Sequence, residues 1–162
     1  MSNESITLGG GCFWCTEAVY EQVEGVTAVE SGYCNGHVRN PSYAQVCDGD
    51  TGHVEVVRVS FDRDRITLAE ILQIFLVVHD PTTKDRQGND VGPQYRSGIY
   101  WHEPAQEAAA RAVLDEANRA LGGRVVTELQ KEDNYWRAED SAPHRARKNA
   151  RPSTTARWYP FQ

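Results

Sequence analysis

The pattern of apolar and polar positions predicts a series of short strands. Residues 53–61, HVEVVRVSF, alternate most clearly, and this places Val57, Val59 and Phe61 on one face of a strand and Arg58 on the other. The other predicted strands span residues 5–8, 26–34, 98–102 and 125–131.

Between these strands, apolar residues recur at helical spacing. The most regular segment is TLAEILQIFLVVH, residues 67–79, where Thr67 is a candidate N-cap with Glu70 three positions later, and where Asp80 and Pro81 end the helix. The other predicted helices cover residues 12–23, with apolar residues at 15, 18, 19 and 23, and residues 104–121, before Gly122 and Gly123. The pattern fades after Trp136, so a long irregular carboxy-terminal segment is expected.

This alternation, without a repeat or a linker, predicts one α+β domain. We expect a single catalytic domain over residues 1–162, with a core over about 5–136 and an irregular tail over about 137–162. A chain of this length buries roughly two-thirds of the surface that its unfolded form exposes, so it needs no disulfides to fold.

Composition narrows the classes of protein to consider. The chain is 40% hydrophobic and 25% charged with a net charge of −6, which is typical of a globular protein and unfavourable for binding nucleic acid. No apolar run approaches the about 20 residues needed to span a bilayer, and the start, MSNESITLGG, lacks the features of a secretory signal. We therefore expect a cytoplasmic protein without nucleic-acid or membrane partners. Thiols stay reduced in that compartment, so the four cysteines are expected to be chemical, metal-binding or buried.

The stretch GGGCFWCTEA, residues 9–18, places Cys12 behind a glycine turn at the first turn of a predicted helix. Backbone N–H groups there lack intrahelical partners, and the helix dipole favours an anion, so Cys12 is expected to be a thiolate. No lysine or serine follows at the spacing of a phosphate-binding loop. The alternative is that Cys12 is a small buried hydrophobic residue and that Phe13 and Trp14 belong to the core.

A candidate acid lies on the clearest strand. Glu55 shares the apolar face of Val57 and Val59, so its carboxyl group is expected to be partly desolvated and protonated near neutral pH, which is the state that a general acid needs. The alternative is a glutamate that reaches solvent or pairs with an arginine.

Two tyrosines lie in segments marked by glycine or proline, where functional side chains are often displayed. They are Tyr43 in NPSYAQVC and Tyr95 in GPQYRSGIY; each could instead pack in the core with a satisfied hydroxyl. A thiolate, a carboxylic acid, phenols and aromatic rings together suit a small substrate with an apolar group and one oxygen to be protonated and removed.

The motifs GCFW at 11–14, GDTGHxE at 49–55, HDP at 79–81, RQGND at 86–90 and QYRS at 94–97 resemble, in order and spacing, the peptide methionine sulfoxide reductase A family. The resemblance runs from about residue 5 to Asp140. It implies an α+β two-layer sandwich with a central mixed sheet, built on a ferredoxin-like βαβ core and flanked by helices.

The resemblance also implies the site residues. Cys12 becomes the nucleophile and Glu55 the acid, and Tyr43 and Tyr95 donate hydrogen bonds to the sulfoxide oxygen. The remaining implied residues contact the substrate: Phe13 and Trp14 form the pocket for its methyl group, and Asp90 orients its backbone.

The implied reaction reduces methionine S-sulfoxide, free or in proteins, and thereby repairs oxidised proteins. Cys12 attacks the sulfoxide sulfur and becomes a sulfenic acid, which a second thiol converts to a disulfide. An external dithiol such as thioredoxin then reduces that disulfide. No cofactor or metal is implied, and a monomer is expected.

The tail departs from the family pattern. Many members carry a resolving cysteine there, but SAPHRARKNARPSTTARWYPFQ contains none, and residues 141–143 also lack the histidine, glutamine and tyrosine common after the Glu139–Asp140 pair. The candidate resolving cysteines are Cys15, one helical turn from Cys12; Cys34, in the SGYCNGH segment, expected to be mobile; and Cys47, in QVCDGD. Cys15 is preferred, although it could instead lie on the inner face of its helix.

Three other functions compete with this interpretation. A zinc module would use the four cysteines, but only Cys12 and Cys15 form a close pair. A thiol–disulfide oxidoreductase would use that pair directly, although the aromatic residues between the cysteines and the glutamate suit sulfoxide chemistry better. A cysteine hydrolase would need a histidine base, and the candidates are His37, His53, His79 and His102.

Overall fold

A central sheet with both parallel and antiparallel strand pairs organises the fold. It is seen in a computed structural model that describes residues 3–138. The strands are β1 (Asn3–Gly9), β2 (Val26–Cys34), β3 (Val54–Asp62), β4 (Arg86–Gln87), β5 (Asp90–Val91), β6 (Gly98–Trp101), β7 (Glu128–Lys131) and β8 (Trp136–Arg137). The helices are α1 (Phe13–Tyr20), α2 (Tyr43–Cys47), α3 (Leu68–Val78) and α4 (Pro104–Ala120), with a 3₁₀ helix at Pro93–Tyr95. The expectation of a mixed α+β architecture is confirmed.

The main sheet has the strand order β7-β6-β1-β3-β2-β8, in which only β6 and β7 pair in parallel. The alternation predicted along β3 is present: Val57, Val59 and Phe61 pack with the helices in the main core, whereas Val54 and Val56 belong to a smaller cluster on the opposite face. The sheet therefore has one helix-covered face and one face with its own small core.

Helix α3 forms where its sequence predicts it. Thr67 Oγ1 accepts a hydrogen bond from the Glu70 N–H at 3.1 Å, and Glu70 Oε1 accepts one from the Thr67 N–H at 3.0 Å. The helix buries Ile71, Leu72 and Phe75 against the sheet. Local sequence therefore sets where this helix begins.

Helix α1 has a different buried face from the predicted one. Its buried residues are Phe13, Thr16, Glu17 and Tyr20, whereas Cys15 is exposed. The reason is tertiary: Tyr20 donates to the Ile71 carbonyl at 2.7 Å, and Ser31 on β2 donates to Glu17 Oε1 at 2.6 Å. Because their polar atoms are hydrogen-bonded, Glu17 and Tyr20 can occupy the buried face of α1 in place of apolar residues.

Several short elements were not predicted. Ser42 and Gln45 form a capping box that starts α2, and β4 and β5 form a two-stranded hairpin. Strand β8 lies where the predicted tail begins, and the rest of that tail, residues 139–162, lies outside the described residues. Over residues 3–138, no helix combines the length and apolar character needed to cross a membrane.

Candidate active site

Cys12 is the N-cap residue of α1, directly after the turn that leaves β1. Gly11 has a φ of +96°, a conformation that favours glycine, and this turn brings Cys12 over the end of β3. The Cys12 carbonyl accepts a hydrogen bond from the Cys15 N–H at 3.2 Å, which closes the first turn of the helix. Cys12 is half-buried, so its sulfur lies at the surface of the site.

The expectation of a resting thiolate at Cys12 is wrong. A hydrogen bond between the Cys12 and Cys15 thiols, burial, and the charges of Glu55 and Cys15 raise the pKa of Cys12 well above its usual range. The Trp14 N–H lowers this pKa, as a helix N-terminus should, but it is outweighed. Cys12 is therefore a thiol in the substrate-free site.

Glu55 lies beneath this turn and is only 1% exposed. Its Oε1 atom accepts a hydrogen bond from the Phe13 N–H at 3.3 Å, and its buried Oε2 atom has no partner. Burial raises the pKa of Glu55 to about 8, opposed by the Phe13 N–H and assisted by the charge of Asp90. The prediction of a protonated carboxyl group on the apolar face of β3 is confirmed.

Tyr43 begins α2 and Tyr95 ends the 3₁₀ helix, and both are half-buried. Burial, a hydrogen bond with Cys47 and the charges of Cys47, Glu55 and Tyr95 raise the pKa of Tyr43 above its usual range. Burial and the charges of Glu55, Cys47, Asp90 and Cys12 raise the pKa of Tyr95 to about 12. Both phenols therefore remain protonated and can donate hydrogen bonds. Because Glu55 influences the pKa of both tyrosines, the three side chains lie close together.

The aromatic residues after Cys12 occupy different environments. Phe13 is 1% exposed and belongs to the main core, with its ring centroid 6.4 Å from that of Tyr43. Trp14 is half-buried and packs against the same core. Asp90 is exposed on the β4–β5 hairpin, close enough to raise the pKa of Glu55. Phe13 can therefore support the site from below, while Trp14 and Asp90 reach its surface.

The candidate resolving cysteines are not equivalent. Cys15 is exposed and its thiol contacts that of Cys12, so its placement on the inner face of α1 is excluded. Cys34 was expected in a mobile segment, and this is wrong: it is the last residue of β2, pairs with Val54 and is fully buried. It packs in the smaller cluster, so the sheet separates it from Cys12.

Cys47 ends α2 on the same side as the tyrosines. Its thiol interacts with Tyr43, and its carbonyl accepts a hydrogen bond from Gln94 Nε2 at 3.3 Å. Gln94 is buried and so joins α2 to the turn that carries Tyr95. Gln94 opens the QYRS motif, but the motif gave it no role, because a loop side chain that binds a distant carbonyl leaves no periodic signal.

Two of the candidate histidines, His53 and His79, bind backbone groups. Buried His53 accepts from the Gly36 N–H at 3.2 Å, and its other ring nitrogen lies 2.6 Å from the Val38 carbonyl oxygen. His79 Nδ1 lies 2.5 Å from the Phe75 carbonyl and Nε2 lies 2.7 Å from Ser97 Oγ. Burial lowers the pKa of His79 to about 4, against the opposing effects of Phe75 and Asp80.

His102 and the metal-ligating types of side chain give no support to a cysteine hydrolase or a zinc module. His102 contacts Thr7 and Glu132 instead of a cysteine. Across residues 3–138, no group of three or more histidine, cysteine, aspartate or glutamate side chains could hold a metal ion. The candidate site therefore combines the Cys12 thiol, the Cys15 thiol in contact with it, the neutral buried carboxyl group of Glu55 and the protonated phenols of Tyr43 and Tyr95.

Comparison with known proteins identifies the family of the chain. Residues 4–161 match the family model described as peptide methionine sulfoxide reductase. The chain is 53% identical over 137 residues to the peptide methionine sulfoxide reductase MsrA of Saccharolobus solfataricus, covering 85% of this chain and 77% of that protein.

Solved structures agree with this match. Mxr1 from Saccharomyces cerevisiae in reduced form superposes with a TM-score of 0.86 at 34% identity, covering 93% of this chain and 88% of that one. Mxr1 in complex with Trx2 superposes with a TM-score of 0.65 at 27% identity, covering 86% of this chain and 84% of that one.

Proposed function

The chain belongs to the peptide methionine sulfoxide reductase family, and from this premise we propose that Cys12 is its nucleophile and Glu55 its acid. The protein is a thiol-dependent reductase of methionine sulfoxide. Its substrate in this proposal is methionine S-sulfoxide, free or in proteins, so that it repairs oxidised proteins.

The proposed reaction balances without an outside proton. Glu55 gives its proton to the sulfoxide oxygen while Cys12 Sγ attacks the sulfur, and the thiol proton of Cys12 replaces the one that Glu55 has given. The bond between the methionine sulfur and oxygen breaks, and the oxygen passes with its proton to Cys12 Sγ. The products are methionine and a Cys12 sulfenic acid, so the substrate sulfur is reduced and the cysteine sulfur is oxidised.

The environment of Glu55 is the observation that carries this proposal. One carboxyl oxygen is held by the Phe13 N–H, and the buried second oxygen has no partner. A carboxyl group with a pKa of about 8 is protonated at neutral pH and can return to that state after each transfer. The adjacent thiol of Cys12 provides the nucleophile.

Tyr43 and Tyr95 would donate hydrogen bonds to the sulfoxide oxygen as negative charge develops on it, because both phenols keep their protons. Trp14, supported by Phe13, would receive the methyl group of the substrate, and Asp90 would bind its backbone N–H.

Cys15 is proposed as the resolving thiol. Its sulfur already contacts that of Cys12 and is exposed, so attack on the sulfenic acid forms a disulfide and releases water with only local movement of α1. Thioredoxin would then reduce this disulfide by thiol exchange, as suggested by the structure of Mxr1 in complex with Trx2. No other cofactor is required by this scheme.

The test is mass mapping of the full chain after one turnover with methionine sulfoxide and no reductant. Wild type should yield one methionine per protein and a Cys12–Cys15 disulfide. Cys15→Ser should still yield that methionine but retain a sulfenic acid at Cys12, which a dimedone adduct detects. Cys47→Ser is the matched control and should behave as wild type.

Other outcomes separate the parts of the scheme. A Cys12–Cys47 disulfide in wild type would retain the reductase chemistry but replace Cys15 as the resolving thiol. An unmodified Cys12 after methionine has formed would overturn the assignment of the nucleophile.

The finer structural assignments belong to the same proposal. We take residues 1–162 as a single, monomeric catalytic domain of the cytoplasm with its core over about 5–136. A ferredoxin-like βαβ core is supported by the central order β6-β1-β3-β2, in which all neighbours are antiparallel.

A further inference from the structure

Gln87 lies outside the reacting groups, yet both polar atoms of its side-chain amide form hydrogen bonds. Its Nε2 atom donates to the Asp80 carbonyl at 2.6 Å and to Thr83 Oγ1 at 3.1 Å. Its Oε1 atom accepts from the Asp80 N–H at 2.9 Å. The amide thus binds both the N–H and the carbonyl group of Asp80, which lies two residues after the end of α3.

Two further contacts tie Gln87 to the active site. Gln87 is the direct cross-strand partner of Asp90 in the β4–β5 hairpin. A Cβ built on Gly11 would lie 2.8 Å from the Gln87 Cβ, so the backbone before Cys12 rests directly on this side chain. Gln87 is therefore where the end of α3, the hairpin and the Gly11 turn meet.

The hairpin needs such an anchor. Its strands have two residues each, and Asp90 and Val91 are exposed, with Val91 at 65%. A two-stranded ribbon of this size is not stable on its own in water. Asp90 can therefore hold a fixed position relative to Cys12 only if contacts outside the ribbon fix the hairpin. Thr83 Oγ1 donates to the Arg86 carbonyl at 2.7 Å, and Gln87 makes the contacts that join the hairpin to Asp80 and to the Gly11 turn.

We propose that Gln87 is a positioning residue that holds Asp90 in register with Cys12 and thereby sets the KM for peptide-bound methionine sulfoxide. This inference rests on the proposed function, because it requires Asp90 to bind the substrate backbone. It adds a residue that has no contact with the reacting atoms, and it explains why Gly11 must lack a side chain at this position.

The experiment measures steady-state kinetics of the full chain with a methionine sulfoxide peptide and dithiothreitol as reductant. Gln87→Ala should raise the KM about tenfold while changing kcat less than about threefold, because it moves a binding group and leaves the chemistry in place. Gln87→Glu, which keeps the volume against Gly11 but loses the Nε2 donor, should raise the KM in the same direction. Thr82→Val is the matched control, since it removes only the hydroxyl bond to Asp80 Oδ1 in the same loop and should leave the KM unchanged.

A double-mutant cycle with Asp90→Asn identifies the route of the effect. If Gln87 acts through Asp90, Gln87→Ala should raise the KM little further in the Asp90→Asn background. Additive effects, an equal rise in Thr82→Val, or no rise in either Gln87→Ala or Asp90→Asn would overturn the proposal. Cys12→Ser tests the proposed function separately: residual activity in that variant would refute the chemistry, whatever the result at Gln87.

Discussion

Glu55 shows how much chemistry one strand position can determine. Alternation along β3 places its carboxyl group on the same face as Val57 and Val59, and the fold covers that face with α1. Burial then makes the charged form costly and raises the pKa to about 8. The protonation state of the acid was therefore predictable from the spacing of residues.

At the residue scale, we predict that Glu55→Gln lowers the single-turnover rate of methionine formation by about 10²- to 10⁴-fold. In wild type the reactive form is protonated, so the rate should fall as pH rises through about 8. Glutamine cannot give up a proton, so the residual rate of the variant should lack this alkaline limb. Rapid-quench measurements between pH 6 and pH 10 check both effects.

Glu17→Gln is a suitable control, because Glu17 is also a buried glutamate but lies on α1 itself and accepts a hydrogen bond from Ser31. It should keep the alkaline limb of wild type. An unchanged limb in Glu55→Gln would instead assign that limb to another group and remove Glu55 as the acid.

Other residue properties could not be read from the sequence. The protonation of Cys12 depends on its contact with the Cys15 thiol, which outweighs the favourable helix N-terminus. Cys34 lies in a glycine-flanked segment that looked mobile, but strand pairing with Val54 buries it completely. Both outcomes depend on partners whose positions only the folded chain defines.

At the scale of elements, local signals predicted some boundaries and tertiary contacts set others. The capping box of Thr67 and Glu70 marks the start of α3, and both of its hydrogen bonds form. Helix α1 has no side-chain cap, and on its inner face the buried Glu17 is paired by a hydrogen bond from Ser31 on β2. Short elements such as the β4–β5 hairpin were missed because they contain too few residues for a periodic pattern.

Helix α3 gives a prediction that belongs to this scale. Thr67→Ala should lower the free energy of unfolding by about 1 kcal/mol, because the Glu70 N–H loses its acceptor at the start of the helix. Thr67 is exposed and far in sequence from the reacting groups, so kcat should stay within about twofold of wild type. Urea denaturation followed by circular dichroism measures the change.

Thr67→Ser keeps the hydroxyl acceptor and should recover most of the lost stability. If the serine variant were as unstable as the alanine variant, the effect would come from the lost methyl group and the cap would contribute little.

At the scale of the whole molecule, the two faces of the sheet serve different purposes. The helix-covered face carries Glu55, whereas a partly buried polar network occupies the other face around Glu132. Glu132 accepts from Thr7 at 2.5 Å, lies 3.2 Å from His102 and forms an ion pair with Arg58 at 2.7 Å. It thereby joins β1, β3 and the segment after β7.

This network has a charge requirement opposite to that of the active site. Burial alone would raise the pKa of Glu132, but hydrogen bonds from His102 and Thr7 and the charges of His102 and Arg58 together lower it. A carboxyl group with a lowered pKa in the folded state stabilises the fold above its unfolded pKa, and that contribution is lost as pH falls through the folded value. Glu55 does the reverse: the folded state holds a proton that the unfolded chain releases, so wild type loses stability as pH rises from 4.5 to about 8.

The two carboxyl groups therefore predict stability curves of opposite slope. Glu132→Gln should be less stable than wild type by about 2 kcal/mol at pH 7, because it removes one charge of a partly buried pair, and the difference should narrow below the ordinary glutamate pKa of 4.5. Glu55→Gln should gain stability relative to wild type between pH 5 and pH 8, since glutamine carries no proton to lose. Urea titrations of the three proteins between pH 3 and pH 8 measure both slopes, and parallel curves over that whole range would show that neither group couples its proton to folding. If the slopes differ as predicted, the fold maintains a charged carboxylate for stability on one face and a neutral carboxylic acid for chemistry on the other, and the active site is retained at a cost in stability that grows as pH rises from 4.5 to about 8.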